Sequence, residues 1–218
     1  MPENTESGFI VVANFIRRAP ITVILVAMNL IMLIVLASQG SLDEPNAIMN
    51  MLASYTPAII NEGEYYRLFT SMFLHFGIEH LIGNMLLLFF LGEIIEVTLG
   101  KVRYLFIYLV GGIVGNVASL FMELGLPINQ MPISAGASGA VFALIGAMAY
   151  ILILNKGRLA GVSLRRLMIL ILLSIWEGYN NRNVDGVAHV GGLIAGFLFA
   201  LILYHKSEVD NNYVDDIV

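Results

Sequence analysis

Between Ile21 and Ser38 the chain carries 18 consecutive residues without a charge. Predominantly apolar runs recur at His80–Leu99, Tyr104–Met122, Ser138–Leu154 and Val187–Tyr204. A helix rises about 1.5 Å per residue, so about 20 such residues match the ~30 Å hydrocarbon core of a bilayer. The composition agrees: 58% of the chain is hydrophobic and only 12% is charged, roughly half the charge of an ordinary soluble domain. With a mean hydropathy of +0.84, too much apolar surface is present for a soluble core, so lipid is the solvent for most of the chain. Backbone groups in lipid must be satisfied within the segment, which helices achieve. The expected fold is an all-α membrane protein.

Taken in order, residues 1–20 form a short polar N-terminal tail with an apolar patch, Phe9 to Phe15, closed by Arg17, Arg18 and Pro20. The first apolar run exceeds a signal-peptide core and no small-x-small cleavage site follows Ala37, so it reads as an uncleaved span. Residues 39–79 make a long connection. Its apolar piece, Ala47 to Ile60, is too short to span, and Pro57 argues against one continuous helix, so it is expected in the interface or folded back on the bundle. Leu167 to Trp176 serves as a fifth span only with Arg165 and Arg166 reaching back to an interface. The expectation is six spans in one membrane domain, 21–205, followed by an acidic tail, 206–218.

Basic residues orient the bundle. With the N-terminus inside, the inner segments carry Arg17, Arg18, Lys101, Arg103, Lys156, Arg158, Arg165, Arg166 and Lys206, and the outer ones only Arg67 and Arg182. Both termini are then cytoplasmic. The net charge of −5 falls largely in loops and tails, including Glu208, Asp210, Asp215 and Asp216, and no basic patch points to nucleic acid. The absence of cysteine excludes disulfides, thiolate metal sites and a cysteine nucleophile.

Polar residues inside spans are costly in lipid and are functional candidates by default. Asn84 lies 17 residues before Lys101, Ser138 lies 18 before Lys156 and His189 lies 17 before Lys206. All three therefore sit roughly 25–27 Å above the inner edge, on three helices running the same way. Ser138 is the candidate nucleophile and His189 the base that would take its proton. No carboxylate shares their depth, so the expectation is a dyad, with Asp185 and Glu177 read as solvated loop charges. His80 and Asn84, at i and i+4, share a face and can donate toward one point; with the Ser138 N–H they would form an oxyanion hole. Gly192-x-x-x-Gly196 lets the last span approach Gly139, Ala143 and Gly146, and Phe142, one turn below Ser138, can lie against the imidazole. Taken alone, Gly136-Ala137-Ser138-Gly139 is also an ordinary helix-packing pattern, as Gly111-x-x-x-Gly115 is.

Together these residues resemble the rhomboid family of intramembrane serine proteases. The matching pieces are His75 and His80-x-x-x-Asn84, then Gly136-Ala137-Ser138-Gly139, then Ala188-His189-x-x-Gly192-x-x-x-Gly196. Tyr66-Arg67 is similar to the family's aromatic-arginine pair, normally Trp-Arg, and Glu96 and Gly100 fit its acidic-glycine pattern, Glu96 otherwise reading as a buried carboxylate with a loop partner. Phe142 stands where many members have tyrosine. The resemblance covers about residues 20–205 and implies the minimal six-helix form with a long first outer loop.

That resemblance implies hydrolysis of a peptide bond in or beside a transmembrane segment of a substrate protein. Ser138 attacks, His189 moves the proton, His80 and Asn84 stabilise the oxyanion, and Gly136, Gly139, Phe142 and Gly192 support the site. A cavity open to the outside must bring water to Ser138, and the fifth span with the loops from Gly178 to Gly186 is the candidate gate. Neither metal nor cofactor is expected: H-E-x-x-H is absent, and His75 and His80, five apart, point to different faces. The alternatives are a rhomboid-like binding protein without activity and a small transporter with the polar residues lining a path; against the transporter, these cluster at one outer depth and only Glu93 and Glu96 lie further in. The short N-terminus favours a prokaryotic cell membrane, with the site toward the outer side.

Overall fold

The computed structural model describes residues 8–40, 42, 47–180 and 184–205. Arg182, Lys206 and the acidic residues Glu208, Asp210, Asp215 and Asp216 lie outside the described residues.

Helix α1 (Gly8–Arg18) ends in two arginines, and Pro20 then opens α2 (Pro20–Ala37). Proline fits there because the first turn of a helix needs no N–H partner within the helix. The long connection folds into short pieces. Helices α3 (Ala47–Leu52) and α4 (Thr56–Asn61) are separate, with Pro57 in the first turn of α4, so the expected break falls just ahead of the proline. A single turn, α5 (Arg67–Thr70), and the 3-10 turn Ser71–Phe73 lead into α6 (Gly77–Leu99). Gly100, at φ +79, makes the tight corner into α7 (Lys101–Glu123), a left-handed backbone that glycine adopts without a side-chain clash. After it come α8 (Ser138–Leu154), a small hairpin of β1 (Arg158–Leu159) and β2 (Val162–Ser163), α9 (Leu164–Asn180) and α10 (Gly186–Leu203).

Among the described residues, α2, α6, α7 and α10 are long and apolar enough to cross a membrane. Helix α8 has 17 residues, of which 13 are buried, so it forms the axis of the bundle rather than its wall. Against it pack α10 and α7, then α6, while α2 lies on the far side of α6. Helix α9 is the opposite case. It runs a turn further at each end than the apolar core Leu167–Trp176, carries Arg165 and Arg166 exposed in its first turn, and buries only Leu167 and Ile171.

Small residues set how closely the central helices meet. A Cβ at Gly192 would overlap the Gly139 carbonyl oxygen, one at Gly196 that of Ala143, and one at Gly146 that of Leu193. On α7, Gly111 meets the Ala143 methyl and Gly115 the Ala188 carbonyl, so Gly111-x-x-x-Gly115 is a packing seam.

Both inner carboxylates have structural partners. Glu93 pairs with Arg18 at 2.8 Å. Glu96 is a buried carboxylate, and its partner is the start of α2 rather than a loop: Ile21 N–H at 3.0 Å, Thr22 N–H at 2.8 Å and the Thr22 hydroxyl at 2.9 Å. Tyr104 completes the group at 2.9 Å from Thr22 Oγ1. A helix start offers unpaired N–H donors that a carboxylate satisfies, which is why the negative group is tolerated there.

Candidate active site

The turn before Ser138 is held by its backbone. Ser134 and Ser54 exchange N–H···O bonds of 2.9 Å in both directions, and Gly136 N–H donates to Ser71 O at 3.0 Å. Gly136 sits at φ +152, and a side chain there would strike the His80 ring, 2.8 Å from Cε1. Both the conformation and the space therefore require glycine. The same missing side chain would lie 3.6 Å from Ser138 Oγ, so His80 and the serine hydroxyl border one open face of Gly136. Ser138 is the first residue of α8, where helical geometry leaves the backbone N–H without an intrahelical partner.

Ala137 N–H points to His75 Nε2 at 3.4 Å. That nitrogen is thus the acceptor, which places the ring proton on Nδ1. Burial, with His80 beside it, pushes the His75 imidazole down to about 3, so the ring is neutral at ordinary pH. The expectation that His75 and His80 face apart is wrong. Their rings meet edge to face, 5.0 Å between centroids. His75 precedes α6, so helical spacing does not govern its direction. The pair gains no further ligand: no cluster of three metal-binding side chains occurs among the described residues.

Asn84 is buried one turn beyond His80, and its Nδ2 donates back to the His80 carbonyl at 3.1 Å. One of its amide protons is thereby engaged within the helix.

His189 lies in the first turn of α10, 7% exposed, with its ring flat on Phe142 at 4.2 Å and 5°. The close α8–α10 seam at Gly139 and Gly192 brings the two helices to this contact. Ser138 Oγ and His189 share no hydrogen bond among the described residues, and His189 Nδ1 is buried there without a partner. A cavity of about 20 Å³ lies beside Ser138, bordered by Asn116, Ser134, Gly136, Asp185 and Ala188. That is room for about one water molecule.

Asp185 corrects the sequence reading. It is not a solvated loop charge but the N-cap of α10, accepting Ala188 N–H at 2.9 Å and the Ser119 hydroxyl at 2.7 Å. An Asp just ahead of an apolar run is a helix-start signal, and Asp185-Gly186-Val187-Ala188 carries it. Asn116, which donates to Leu68 O at 2.8 Å and Ser71 Oγ at 3.1 Å, had no such signal. Arg67, 6% exposed, ties the connecting segment together through Asn50 O at 2.7 Å, Ala53 O at 3.0 Å and Glu64.

Comparison with known proteins points to one family. The family profile described as Rhomboid domain matches residues 62–206. Rhomboid protease GluP of Bacillus subtilis (strain 168) is 34% identical over 182 residues, covering 84% of this chain and 34% of that protein. YdcA of the same organism is 28% identical over 197 residues, 89% of this chain and 94% of that protein. RHOMBOID-like protein 7 of Arabidopsis thaliana is 36% identical over 160 residues, covering 72% of this chain and 49% of that protein. The chain thus spans a minor part of GluP, about half of RHOMBOID-like protein 7 and nearly all of YdcA.

Proposed function

The chain belongs to the rhomboid family, and on that premise we propose that it is an intramembrane serine endopeptidase acting on transmembrane segments of other membrane proteins. Ser138 attacks the scissile carbonyl, His189 takes its proton and returns it to the leaving amine, and water hydrolyses the acyl-enzyme. His80, with Asn84 and the Ser138 N–H, stabilises the oxyanion. Gly136 keeps the space beside Ser138 open, Gly139 and Gly192 set the spacing of α8 and α10, and Phe142 carries the imidazole face.

The observation that carries this reading is the meeting of three chain-distant pieces at one place. The serine hydroxyl and His80 border Gly136, while His189 lies on Phe142, one turn below the serine. Small-residue packing alone explains the Gly192–Gly139 seam. It does not call for a buried histidine stacked one turn from a serine at a helix start.

In this reading α8 and α9 add two spans to α2, α6, α7 and α10, giving six, with 39–79 as a long outer connection. The membrane domain is 21–205, both termini face the cytoplasm of a prokaryotic cell and the site faces outward. Helix α9, covered mostly by lipid, is the element that moves to admit substrate. A substrate helix must unwind locally there, since a regular helix keeps its carbonyls bonded and out of reach.

One observation favours a second reading, a rhomboid-fold binding protein without activity: the missing Ser138–His189 hydrogen bond. In resting enzymes such bonds often tighten only with substrate bound. The deciding experiment labels purified protein in detergent with a fluorophosphonate probe, comparing wild type, Ser138→Ala and His189→Ala, beside cleavage of a membrane-protein substrate. Wild-type labelling and cleavage, both lost in two folded variants, are expected. A folded wild type that neither labels nor cleaves leaves the binding-protein reading.

A further inference from the structure

The turn that carries His189 is fixed from outside the dyad. Asp185 Oδ1 accepts Ala188 N–H at 2.9 Å, its carbonyl accepts His189 N–H at 3.1 Å, and its Oδ2 accepts the Ser119 hydroxyl of α7 at 2.7 Å. Ser119 Oγ lies 3.4 Å from Glu123 Oε1, and Glu123 Oε2 accepts the Thr56 hydroxyl at 2.5 Å. A row of four side chains therefore runs from α4, through the end of α7, to the first turn of α10.

The two oxygens of Asp185 do different things. The bond to Ala188 N–H caps α10 and would hold the turn helical wherever that helix sat. The bond to Ser119 adds nothing to the helix itself; it sets the turn against α7, where Ala188 O already abuts Gly115. His189 needs such an outside hold, because its Nδ1 has no partner among the described residues that would orient the ring. Its direction rests on Phe142 and on the turn beneath it.

We propose that Asp185, anchored by Ser119, is a positioning residue for His189, holding the first turn of α10 so that the imidazole reaches Ser138 during turnover. The inference rests on the protease reading above. Misplacing a catalytic group by about 1 Å can cost on the order of 100-fold in rate, and releasing one of two anchors is a smaller disturbance.

The test measures kcat, KM, fluorophosphonate labelling rate and unfolding midpoint for the full chain in detergent. The variants are Asp185→Ala, Asp185→Asn and Ser119→Ala, with Ser138→Ala as the blank. Asp185→Ala should lower kcat and labelling about tenfold with KM within about twofold, the pattern of a lost orienting contact. Asp185→Asn should recover activity to within about threefold of wild type, since its Oδ1 still caps Ala188 and its Nδ2 can donate to Ser119 Oγ. Ser119→Ala keeps the cap, is expected to fall between them, and carries the test alone if Asp185→Ala does not fold. Wild-type kcat in Ser119→Ala, or Asp185→Asn no better than Asp185→Ala, overturns the inference while an active wild type leaves the protease reading standing. A folded wild type that neither labels nor cleaves overturns that reading, and this inference with it.

Discussion

The imidazole of His189 lies parallel to the ring of Phe142, 4.2 Å between centroids and 5° from coplanar. Both residues are buried, Phe142 at 3% exposure and His189 at 7%, so the stack replaces water on one face of the imidazole. Offset or stacked ring contacts contribute about 0.5–1.5 kcal/mol beyond the area they bury. The ring also limits the rotations open to a histidine with no Nδ1 partner among the described residues. Phe142→Leu, smaller and not planar, should therefore lower the labelling rate of Ser138 about tenfold, with a loss of stability of about 1–2 kcal/mol from the smaller side chain and the lost stack. Phe142→Tyr keeps the plane and should label nearly as wild type. Equal labelling of all three proteins would show that the stack is packing alone.

Glu96 leads to a prediction of the opposite kind, about stability without chemistry. Its carboxylate, 1% exposed, receives two backbone N–H groups and a hydroxyl from the first turn of α2. Hydrogen bonds to charged groups contribute about 1.5–3 kcal/mol each, and buried donors left unpaired cost comparably. Glu96→Gln offers one acceptor oxygen in place of two, so at least one donor of α2 loses its partner. The variant should be destabilised by about 2 kcal/mol, read as a lower unfolding midpoint in detergent. At temperatures where it remains folded, Ser138 should label at the wild-type rate. A change in labelling with an unchanged midpoint would place Glu96 in the site rather than in the scaffold.

How far the sequence carries depends on whether a feature is local. The apolar runs located α2, α6, α7 and α10 to within about one turn, and Ser138 as the start of α8, because periodic burial and glycine corners are written in neighbouring residues. Phe142 beneath the histidine followed from helix spacing in the same way. The failures concern His75 and Asp185, which lie outside regular helices, and one contact between two helices far apart in the chain. Counting along a helix gives His75 a face of its own, but that helix begins only at Gly77. Position alone reads Asp185 as a solvated loop charge, although its carboxylate accepts from Ser119, 66 positions earlier in the chain. Glu96 reads from the sequence as part of an acidic-glycine pattern or as a buried carboxylate, and neither names its partner, the helix start 74 residues away at Thr22. Such pairings depend on how α2, α7 and α10 pack, which no local pattern states.

His75 leads to a prediction about acid. Its ring is 1% exposed, its Nε2 accepts Ala137 N–H and its Nδ1 has no partner among the described residues. Burial first, and then the neighbouring His80, lowers its pKa from 6.5 to about 3. The sign follows from proton counts. Between about 6.5 and about 3 the unfolded chain carries a proton on His75 and the folded chain does not. Stability must therefore fall as pH drops through that window, and the contribution levels off below about 3, where both states are protonated. At about 1.4 kcal/mol per pKa unit, the full loss from this one ring is on the order of 5 kcal/mol. Carboxylates titrate over part of the same range, so the measurement compares unfolding midpoints of wild type and His75→Gln from pH 7.5 to pH 4. The glutamine variant should be less stable near neutrality, because its amide replaces a fitted ring, yet lose less on acidification. Parallel curves would mean that the unfolded and folded chains bind the same number of protons at this position, and that His75 is not held neutral beside Ala137.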